Sequence, residues 1–308
     1  MNHPHRRLLA LALAAALSLS LAACGGSASS ASSASSASSA ASVASSAGTS
    51  AAGTSAAADL GNRVAGELRI GMECAYPPNN WQEDHQTDTN VAIENLPGFY
   101  AEGYDVQIAR VIAKQLGLTP VVVKLEWSGL IQALNEGQID VIIAGMADTA
   151  ERRQSINFSD PYSKVTYGVL VKKSSSYAGA TSIADFAGAS LLGQKDTLYD
   201  TVIDQIAGVN HLPAVDSVPA MIARLDQDTA DGLVIDGETA QGYLNTYPDF
   251  TFVSFAEGKG FSLGFVGSCV GIRMDDTKLL DAVNAALATI PQDQRDQMKA
   301  TAIANQPT

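Results

Sequence analysis

Cysteine, histidine and positive charge are all scarce in this chain of 308 residues. It has three cysteines, none in a Cys-x-x-Cys pair, and four histidines without ligand-like partners, so neither a metal site nor a cofactor is predicted. Lysine and arginine number 19 against 32 aspartates and glutamates, which gives a formal net charge of −13. This acidity argues against nucleic acid as a partner, because a nucleic-acid-binding surface needs basic residues.

Long hydrophobic runs are also few. The run Leu8–Leu21 follows Arg6 and Arg7 and is shorter than the roughly 20 residues of a membrane-spanning helix. It ends in Leu-Ala-Ala-Cys at 21–24, which resembles a bacterial lipoprotein signal, although a chance cysteine is the alternative. The resemblance implies a signal peptide at 1–23 and lipidation of Cys24 by several acyl chains, palmitate included, which together form a stable anchor.

Low complexity follows the predicted anchor. Residues 24–59 are, after the cysteine, almost only Ser, Ala, Gly and Thr, a composition that cannot bury a core, so a disordered tether is predicted. With the first cysteine lipidated, Cys74 and Cys269 remain. Export permits a disulfide between them, and two separate buried thiols are the alternative left open.

Strand and helix patterns alternate from about Leu60 onward, over roughly 250 residues, a length near which one hydrophobic core splits into two. The alternation predicts an α/β fold with parallel strands. The polar segment Gln82–Tyr100 is predicted as a surface insertion. Strands are predicted at 68–72, 120–125, 141–144, 167–171, 190–193 and 233–235, and helices at 104–116, from 130 to Gly137, from Thr197, around 218–225 and around 279–290.

The segment Ile139–Tyr162 contains the clearest candidate for a charged ligand contact. A buried strand ends at Gly145, and Thr149 is a predicted helix N-cap, so Arg152 and Arg153 fall in the first helical turn. Cations there face the positive end of the helix dipole, at a cost of about 0.3–1 kcal/mol each. An arginine so placed makes sense if it holds an anion together with loop N–H groups, whereas two solvated arginines are the alternative.

Six short motifs occur in order along the chain and together resemble the polar amino-acid-binding proteins of ABC transporters (extracellular solute-binding protein family 3). Each motif is weak alone, but the ordered set spans about residues 66–295. The motifs are Leu-Arg-Ile-Gly-Met-Glu-Cys-Ala-Tyr-Pro-Pro at 68–78, Gly-Tyr-Asp-Val-Gln-Ile-Ala at 103–109, Trp-Ser-Gly-Leu-Ile at 127–131, Asp-Val-Ile-Ile-Ala-Gly at 140–145, Glu-Arg at 151–152 and Phe-Ser-Asp-Pro-Tyr at 158–162.

The resemblance implies a type II periplasmic-binding-protein fold. In that fold two lobes, each a mixed sheet flanked by helices, are joined by a two-strand hinge and hold the ligand in the cleft between them. By analogy, lobe 1 comprises residues 60–163 and 252–308, and lobe 2 comprises residues 164–251.

The resemblance also implies a set of ligand contacts. Arg152 pairs with the ligand α-carboxylate, to which Thr197 adds a hydroxyl and an N–H, and Asp236 receives the α-ammonium. Glu73 stands where the family commonly has aspartate, which favours a cationic or amide side chain on the ligand, although a surface or hinge role is equally open. The other positions implied to lie beside the ligand are Tyr76, Trp81, Trp127, Gly145 and Ala147.

The physical reason for this set is that a free amino acid is a zwitterion. Burying it leaves two charges that must both be paired, and a guanidinium and a carboxylate meet that need. Structural roles remain open at several of these positions: Tyr76 and Trp127 as lobe-core aromatics, Trp81 under the insertion, and Thr197 and Asp236 as helix N-caps.

Two other classes of function compete with a receptor. An exported enzyme is one, because Gly-Phe-Ser-Leu-Gly at 260–264 matches a hydrolase elbow, but no histidine follows Ser262. Some proteins of this fold act as dehydratases, a role in which Glu73 would serve as acid or base. A ligand-sensing or adhesion lipoprotein is the other alternative.

The favoured interpretation is a monomeric receptor without enzymatic activity. It captures an amino acid, polar or cationic by preference, and delivers it to the transmembrane permease of an ABC importer powered by a separate ATPase. Its expected location is the outer face of the bacterial cytoplasmic membrane, or the periplasmic side in a double-membrane cell, where the lipid anchor holds it.

Overall fold

The computed structural model describes residues 60, 62, 64–264 and 267–307. The predicted signal peptide (1–23), the lipidation site Cys24 and the tether (24–59) lie outside the described residues. Within the described ranges, no helix combines the length and the hydropathy that crossing a bilayer requires.

Helices and strands alternate along most of the described chain. The strands are β1 (Glu67–Met72), β2 (Ala75–Tyr76), β3 (Asn80–Glu83), β4 (Val91–Ala92), β5 (Tyr100–Glu102), β6 (Thr119–Lys124), β7 (Val141–Ile142), β8 (Asn157–Phe158), β9 (Ser163–Lys164), β10 (Tyr167–Lys172), β11 (Ser190–Leu192), β12 (Asn210–His211), β13 (Gly232–Asp236), β14 (Phe250–Val253), β15 (Gly267–Ser268) and β16 (Gly271–Ile272). The helices are α1 (Tyr104–Leu116), α2 (Leu130–Asn135), α3 (Leu198–Thr201), α4 (Val218–Asp226), α5 (Gly237–Leu244), α6 (Thr277–Ala288) and α7 (Gln292–Asn305).

The first lobe is the part of the chain built on the sheet β6-β1-β7-β16-β8. Strands β6 and β7 pair parallel with β1, whereas β16 runs antiparallel between β7 and β8. The apolar residues of β1 are fully buried under this sheet's helices, of which α1 also packs against α6 and α7. Parallel strands place their carboxyl ends at one edge, which is where α/β proteins collect their ligands.

The second lobe is the part built on the sheet β12-β11-β13-β10-β14. Strands β12 and β13 pair parallel with β11, and β10 runs antiparallel between β13 and β14. Both sheets are therefore mixed, as the resemblance implied, rather than purely parallel. Strands β9 and β15 pair antiparallel at the two places where the chain passes between the lobes, so they form the two-strand hinge.

The second crossing lies later in the chain than the expected boundary at residue 252. Strand β14 continues the second sheet as far as Val253, and Phe255, Phe261 and Leu263 then pack on a hydrophobic cluster of the same lobe. The rings of Phe255 and Phe261 meet edge to face at 6.0 Å between centroids. Because this apolar surface is buried on the second lobe, the chain returns only at β15.

The segment 82–100 is not a surface insertion. Strands β3, β4 and β5 within it join β2 in a four-stranded antiparallel sheet. Val91 and Ile93 are buried in the core of the first lobe, and Ile93 bridges to Val122 of β6. The strands were not predicted because polar residues surround Val91 and Ile93, and each strand is too short to show an alternating apolar pattern.

Helix α1 is confirmed over Tyr104–Leu116, and Gly117 ends it in the left-handed conformation that glycine adopts without strain. Gly103 occupies its N-cap, and Asp105 lies inside the first turn, fully buried. Helix α7 was not predicted, since it is largely polar and Ala302 is its one fully buried residue in the described structure.

Candidate ligand-binding site

Two cavities lie between the lobes and share the side chains of Trp127, Arg152, Thr197 and Leu198. The inner cavity has a volume of about 30 Å³ and the outer one about 480 Å³. The inner cavity brings together seven of the nine residues named from the sequence: Glu73, Tyr76, Trp127, Gly145, Ala147, Arg152 and Thr197.

Arg152 is a partly buried positive charge that lines both cavities. Its guanidinium donates to the carbonyl oxygens of Ala147 at 2.8 Å and Asp196 at 2.9 Å, and stands 5.1 Å over the ring of Trp127. Burial lowers its pKa. Over the described residues it forms no ion pair within 4.0 Å, although Glu151 and Asp196 act on it at longer range, so its fork has neutral acceptors and room for an anion.

Arg153, the next residue, has the opposite surroundings. It forms a two-pronged ion pair with Asp148, one prong being its Nε to Oδ1 at 2.6 Å, and its side chain is more than half exposed. This hydrogen bond raises the pKa of Arg153. Asp148 is thereby neutralised by its own lobe, and adds no free negative charge to the cavity.

The predicted helix at this place is only one 3₁₀ turn, Arg152–Gln154. The predicted N-cap is wrong, because Glu151 occupies that position, although the Thr149 hydroxyl does accept from the Arg152 N–H at 3.2 Å. A turn of three residues carries almost no macrodipole, so the expected conflict between the arginines and a helix dipole does not exist. The case for an anion depends on the burial of Arg152 instead.

Trp127 lines both cavities, and its side chain also links the two lobes. Its indole N–H donates at 3.2 Å to the carbonyl oxygen of Asp196, the same oxygen that accepts from Arg152. Asp196 has a φ of 59°, in the left-handed region that few residues other than glycine, asparagine and aspartate enter readily. Its strained backbone aims that carbonyl across the cleft.

Glu73 is a buried carboxyl group of the first lobe without a cationic partner among the described residues. It is 7% exposed and accepts a hydrogen bond from Gln194 Nε2 of the second lobe at 3.0 Å. Burial raises its pKa to about 7. Gln194 uses its other hydrogen on the carbonyl oxygen of Asp216 at 3.1 Å, so the amide holds the glutamate by a neutral contact.

Gly145 lines the cavity under the ring of Tyr76. Its φ is +65°, and a β-carbon added there would lie 2.7 Å from Tyr76 Cε1. Both the backbone conformation and the ring therefore require glycine. Its N–H donates to the hydroxyl of Tyr162 at 3.0 Å.

Asp236 lies behind the inner cavity at the end of β13 and is the N-cap of α5. Its Oδ1 accepts from the N–H groups of Glu238 and Thr239, both at 2.9 Å. Its Oδ2 accepts from the hydroxyls of Thr239 at 2.7 Å, Tyr76 at 3.1 Å and Tyr199. Five donors exceed the about four lone-pair sites of a carboxylate, so a ligand ammonium would have to replace one of these hydroxyls.

Thr197 is likewise a helix N-cap beside the cavity. Its hydroxyl accepts from the N–H of Tyr199 at 3.1 Å and donates to the carbonyl of Gln194 at 2.7 Å. Thr197 and Leu198, at the start of α3, line both cavities together with Arg152.

The two-lobed fold and the cavities between the lobes agree with the family to which the sequence matches. Residues 68–302 match the bacterial extracellular solute-binding proteins, family 3. The chain belongs to this family. Its members bind solutes rather than transform them, so this solute-binding protein is not an enzyme, and its two-lobed type II fold is the fold of the family.

Relatives of this solute-binding protein cover most of its folded part. ArtP of Bacillus subtilis (strain 168), an arginine-binding extracellular protein, is 25% identical over 223 residues, 72% of this chain and 79% of ArtP. The L-cystine-binding protein TcyJ of Escherichia coli (strain K12) is 29% identical over 230 residues, 74% of this chain and 79% of TcyJ. The solved arginine-bound form of truncated ArgBP from T. maritima is 28% identical, with a TM-score of 0.61, and covers 73% of this chain and 97% of that one.

Trp81 is the named residue that the structure places away from the cleft of the solute-binding protein. It is 2% exposed in the first-lobe core, and its indole N–H donates to Glu83 Oε1 at 2.6 Å. It lines neither cavity. The alternative of packing under the segment 82–100 is therefore the correct one.

The possible disulfide between Cys74 and Cys269 is absent. Both cysteines are free and buried, as the second alternative expected. Burial raises the pKa of each thiol to about 12, so neither is a reactive thiolate at neutral pH.

Sequence reasoning missed several residues of the second lobe that line the site or its rear wall. Gln194 could have been found, because it follows the buried strand β11 directly, where parallel strands present their ligand contacts. The others had no local signal, since tyrosine, leucine and a buried helical threonine are equally typical of a core. These missed residues are Tyr167, Leu198, Tyr199 and Thr239.

Proposed function

We propose that this solute-binding protein captures a free α-amino acid outside the cell and passes it to the permease of an ABC importer, powered by a separate ATPase. The names of ArtP and TcyJ support an amino acid as the ligand. We propose further that it acts as a monomer, with both lobes of one chain completing the site.

The observation that carries this proposal is the partly buried guanidinium of Arg152, which forms no ion pair among the described residues. A ligand carboxylate takes the place of carbonyl acceptors on its fork, and the hydroxyl and N–H groups around Thr197 add donors from the other lobe. Because the two groups come from opposite lobes, a bound carboxylate stabilises the closed arrangement over the open one.

The ammonium of the ligand is assigned to Asp236. It replaces a tyrosine hydroxyl, Tyr76 or Tyr199, on Oδ2, while Oδ1 continues to cap α5. The tyrosine hydroxyls can rotate to donate elsewhere, so the exchange costs little. Tyr76 and Trp127 then flank the bound amino acid on the first-lobe side.

The side chain of the ligand is assigned to the wall formed by Glu73 and Gln194. A cationic or amide side chain fits there, since it donates to the buried carboxyl group and ionises it. The outer cavity adds the acidic side chains of Glu151, Asp196 and Asp200. The arginine-bound ArgBP relative supports a cationic ligand.

Adjacent arginines provide the test of this function. We expect Arg152→Ala to weaken binding of the amino acid by about 100-fold or more, because the ligand carboxylate loses a buried charged partner. Arg153→Ala removes only the exposed ion pair with Asp148, so we expect it to change the affinity for the amino acid by less than about threefold. Calorimetric titration after a thermal-shift screen of the twenty amino acids measures both. Equal and mild losses would contradict the assignment.

We also propose that residues 1–23 are removed and that Cys24 carries the lipid anchor, which holds the protein at the outer face of the cytoplasmic membrane. Support comes from the sequence Leu-Ala-Ala-Cys at 21–24 behind an apolar run. Cys24→Ser is expected to move the protein from the membrane fraction to the soluble one and to abolish labelling by radioactive palmitate. A variant that stays membrane-bound would rule out this anchor.

A further inference from the structure

Two residues with left-handed backbone conformation shape the first-lobe wall of the inner cavity. One is Gly145, which lines the cavity with a φ of +65°, and the other is Cys74, which directly follows Glu73 and has a φ of 53°. A non-glycine residue in this region is sustained only by its surroundings, because the conformation itself is strained. The hydrogen bonds that hold the backbone at Cys74 and Gly145 therefore determine the position of the first-lobe wall of the cavity.

A single side chain holds each of these backbone N–H groups. The N–H of Cys74 donates to Asn80 Oδ1 at 2.8 Å, and the N–H of Gly145 donates to the hydroxyl of Tyr162 at 3.0 Å. Asn80 and Tyr162 are themselves fully or nearly fully buried. Neither of them lines a cavity, so they stand behind the wall rather than in it.

Both side chains end on one carboxyl group, that of Asp105. Its Oδ2 accepts from Asn80 Nδ2 at 2.8 Å, and its Oδ1 accepts from the Tyr162 hydroxyl at 2.8 Å. Asp105 has no exposed surface. By accepting from the phenol, it fixes the hydroxyl proton and leaves the oxygen lone pairs free for Gly145.

We propose that Asp105 is a positioning residue that sets two separate parts of the ligand site through two hydrogen-bonded arms, an inference that rests on the proposed amino-acid-binding function. The arm through Tyr162 places Gly145, beside the part common to all amino acids. The arm through Asn80 places Cys74 and, with it, the carboxyl group of Glu73, which meets the variable side chain. One buried carboxyl group thus links overall affinity and selectivity.

Loss of the Tyr162 arm should lower the affinity for every amino acid, whereas loss of the Asn80 arm should change selectivity. Binding of L-arginine and of L-glutamine distinguishes the two effects. In Tyr162→Phe, a near-isosteric change, Gly145 loses its acceptor. We expect the affinities for both probes to fall by about 3- to 10-fold, which is the loss of one hydrogen bond, with their ratio unchanged within twofold. Calorimetric titration of the wild-type and variant proteins gives both affinities.

In Asn80→Ala the other arm is cut. The conformation at Cys74 relaxes, Glu73 is displaced, and the ratio of the affinities for L-arginine and L-glutamine falls by about fivefold or more. The matched control is Tyr104→Phe. Tyr104 is also buried beside Asp105, but its hydroxyl donates to the carbonyl of Tyr162 at 2.7 Å and holds no part of the wall. We expect it to lower the melting temperature without changing either affinity.

Each outcome decides the matter. Affinities in Tyr162→Phe that match those of Tyr104→Phe, or an affinity ratio in Asn80→Ala equal to that of the wild type, would overturn the positioning role. A Tyr162→Phe protein that does not fold would assign this network to stability alone and overturn it as well. Wild-type protein that binds neither probe nor any other amino acid would instead refute the proposed function itself.

Discussion

At the scale of single residues, function in this protein depends on which charges lack a partner. Arg152 and Arg153 are neighbours in sequence and chemically identical. One is partly buried with carbonyl acceptors, and the other is exposed and paired with Asp148. Because burying an ion without a counter-ion is costly, we assign the proposed anion site to the first, whereas the second is a surface residue.

Glu73 gives a prediction at the same scale. Burial raises its pKa from 4.5 to about 7, so its contribution to stability is fully present below about pH 4.5 and is lost as the pH rises through about 7. The shift corresponds to roughly 3 kcal/mol, an upper bound for a group that is not fully buried. We therefore expect Glu73→Gln to be more stable than the wild type at pH 8 by up to about 3 kcal/mol, and equal to it at pH 4.5.

Urea unfolding of both proteins at several pH values measures this difference. Asp105, whose pKa is also raised to about 7 by burial, is present in both proteins, so only its charge coupling to Glu73, the smallest of the causes acting on Glu73, enters the comparison. Glu257→Gln, which changes an exposed glutamate, is the control and should show no such pH dependence. A Glu73→Gln protein less stable than the wild type at pH 8 would mean that the folded protein holds Glu73 ionised without strain.

At the scale of elements, helix starts supply much of the second-lobe wall. The turn from β11 to α3 contributes Gln194, Asp196 and Thr197, and the start of α5 contributes Asp236. The sequence predicted a cap at Thr197 and a strand end at Asp236 from local patterns. It could not predict that the Asp196 carbonyl accepts from Trp127 and Arg152, because these partners lie 69 and 44 residues away.

Local patterns were also misleading at some elements. The N-cap was expected at Thr149 and lies at Glu151, and one 3₁₀ turn follows where a helix was expected, since nothing in the sequence states how far a turn continues. Asp105 lies in the first turn of α1 and enters a buried network with Asn80 and Tyr162, 25 and 57 residues away. Such networks depend on tertiary contacts that no local signal encodes.

At the scale of the whole molecule, two lobes share one site through residues from each. The family resemblance implied the mixed sheets and a two-strand hinge, but it did not identify β9 and β15 as the hinge strands. The return boundary was expected too early, because Phe255, Phe261 and Leu263 gave no sign of the lobe on which they pack. The cleft consequently contains the cross-lobe contacts of Arg152 and Glu73 that a ligand would exchange for its own.

The pairing of Arg152 with a ligand carboxylate is tested most directly by removing the carboxylate from the ligand. L-Arginine and agmatine differ only in that group, and their affinities for the wild type and for Arg152→Ala form a thermodynamic cycle. Calorimetry is expected to show that the wild type prefers L-arginine by about 100-fold or more, and that Arg152→Ala binds the two with nearly equal affinity. A preference for L-arginine that survives in Arg152→Ala would place the carboxylate elsewhere and contradict the assignment.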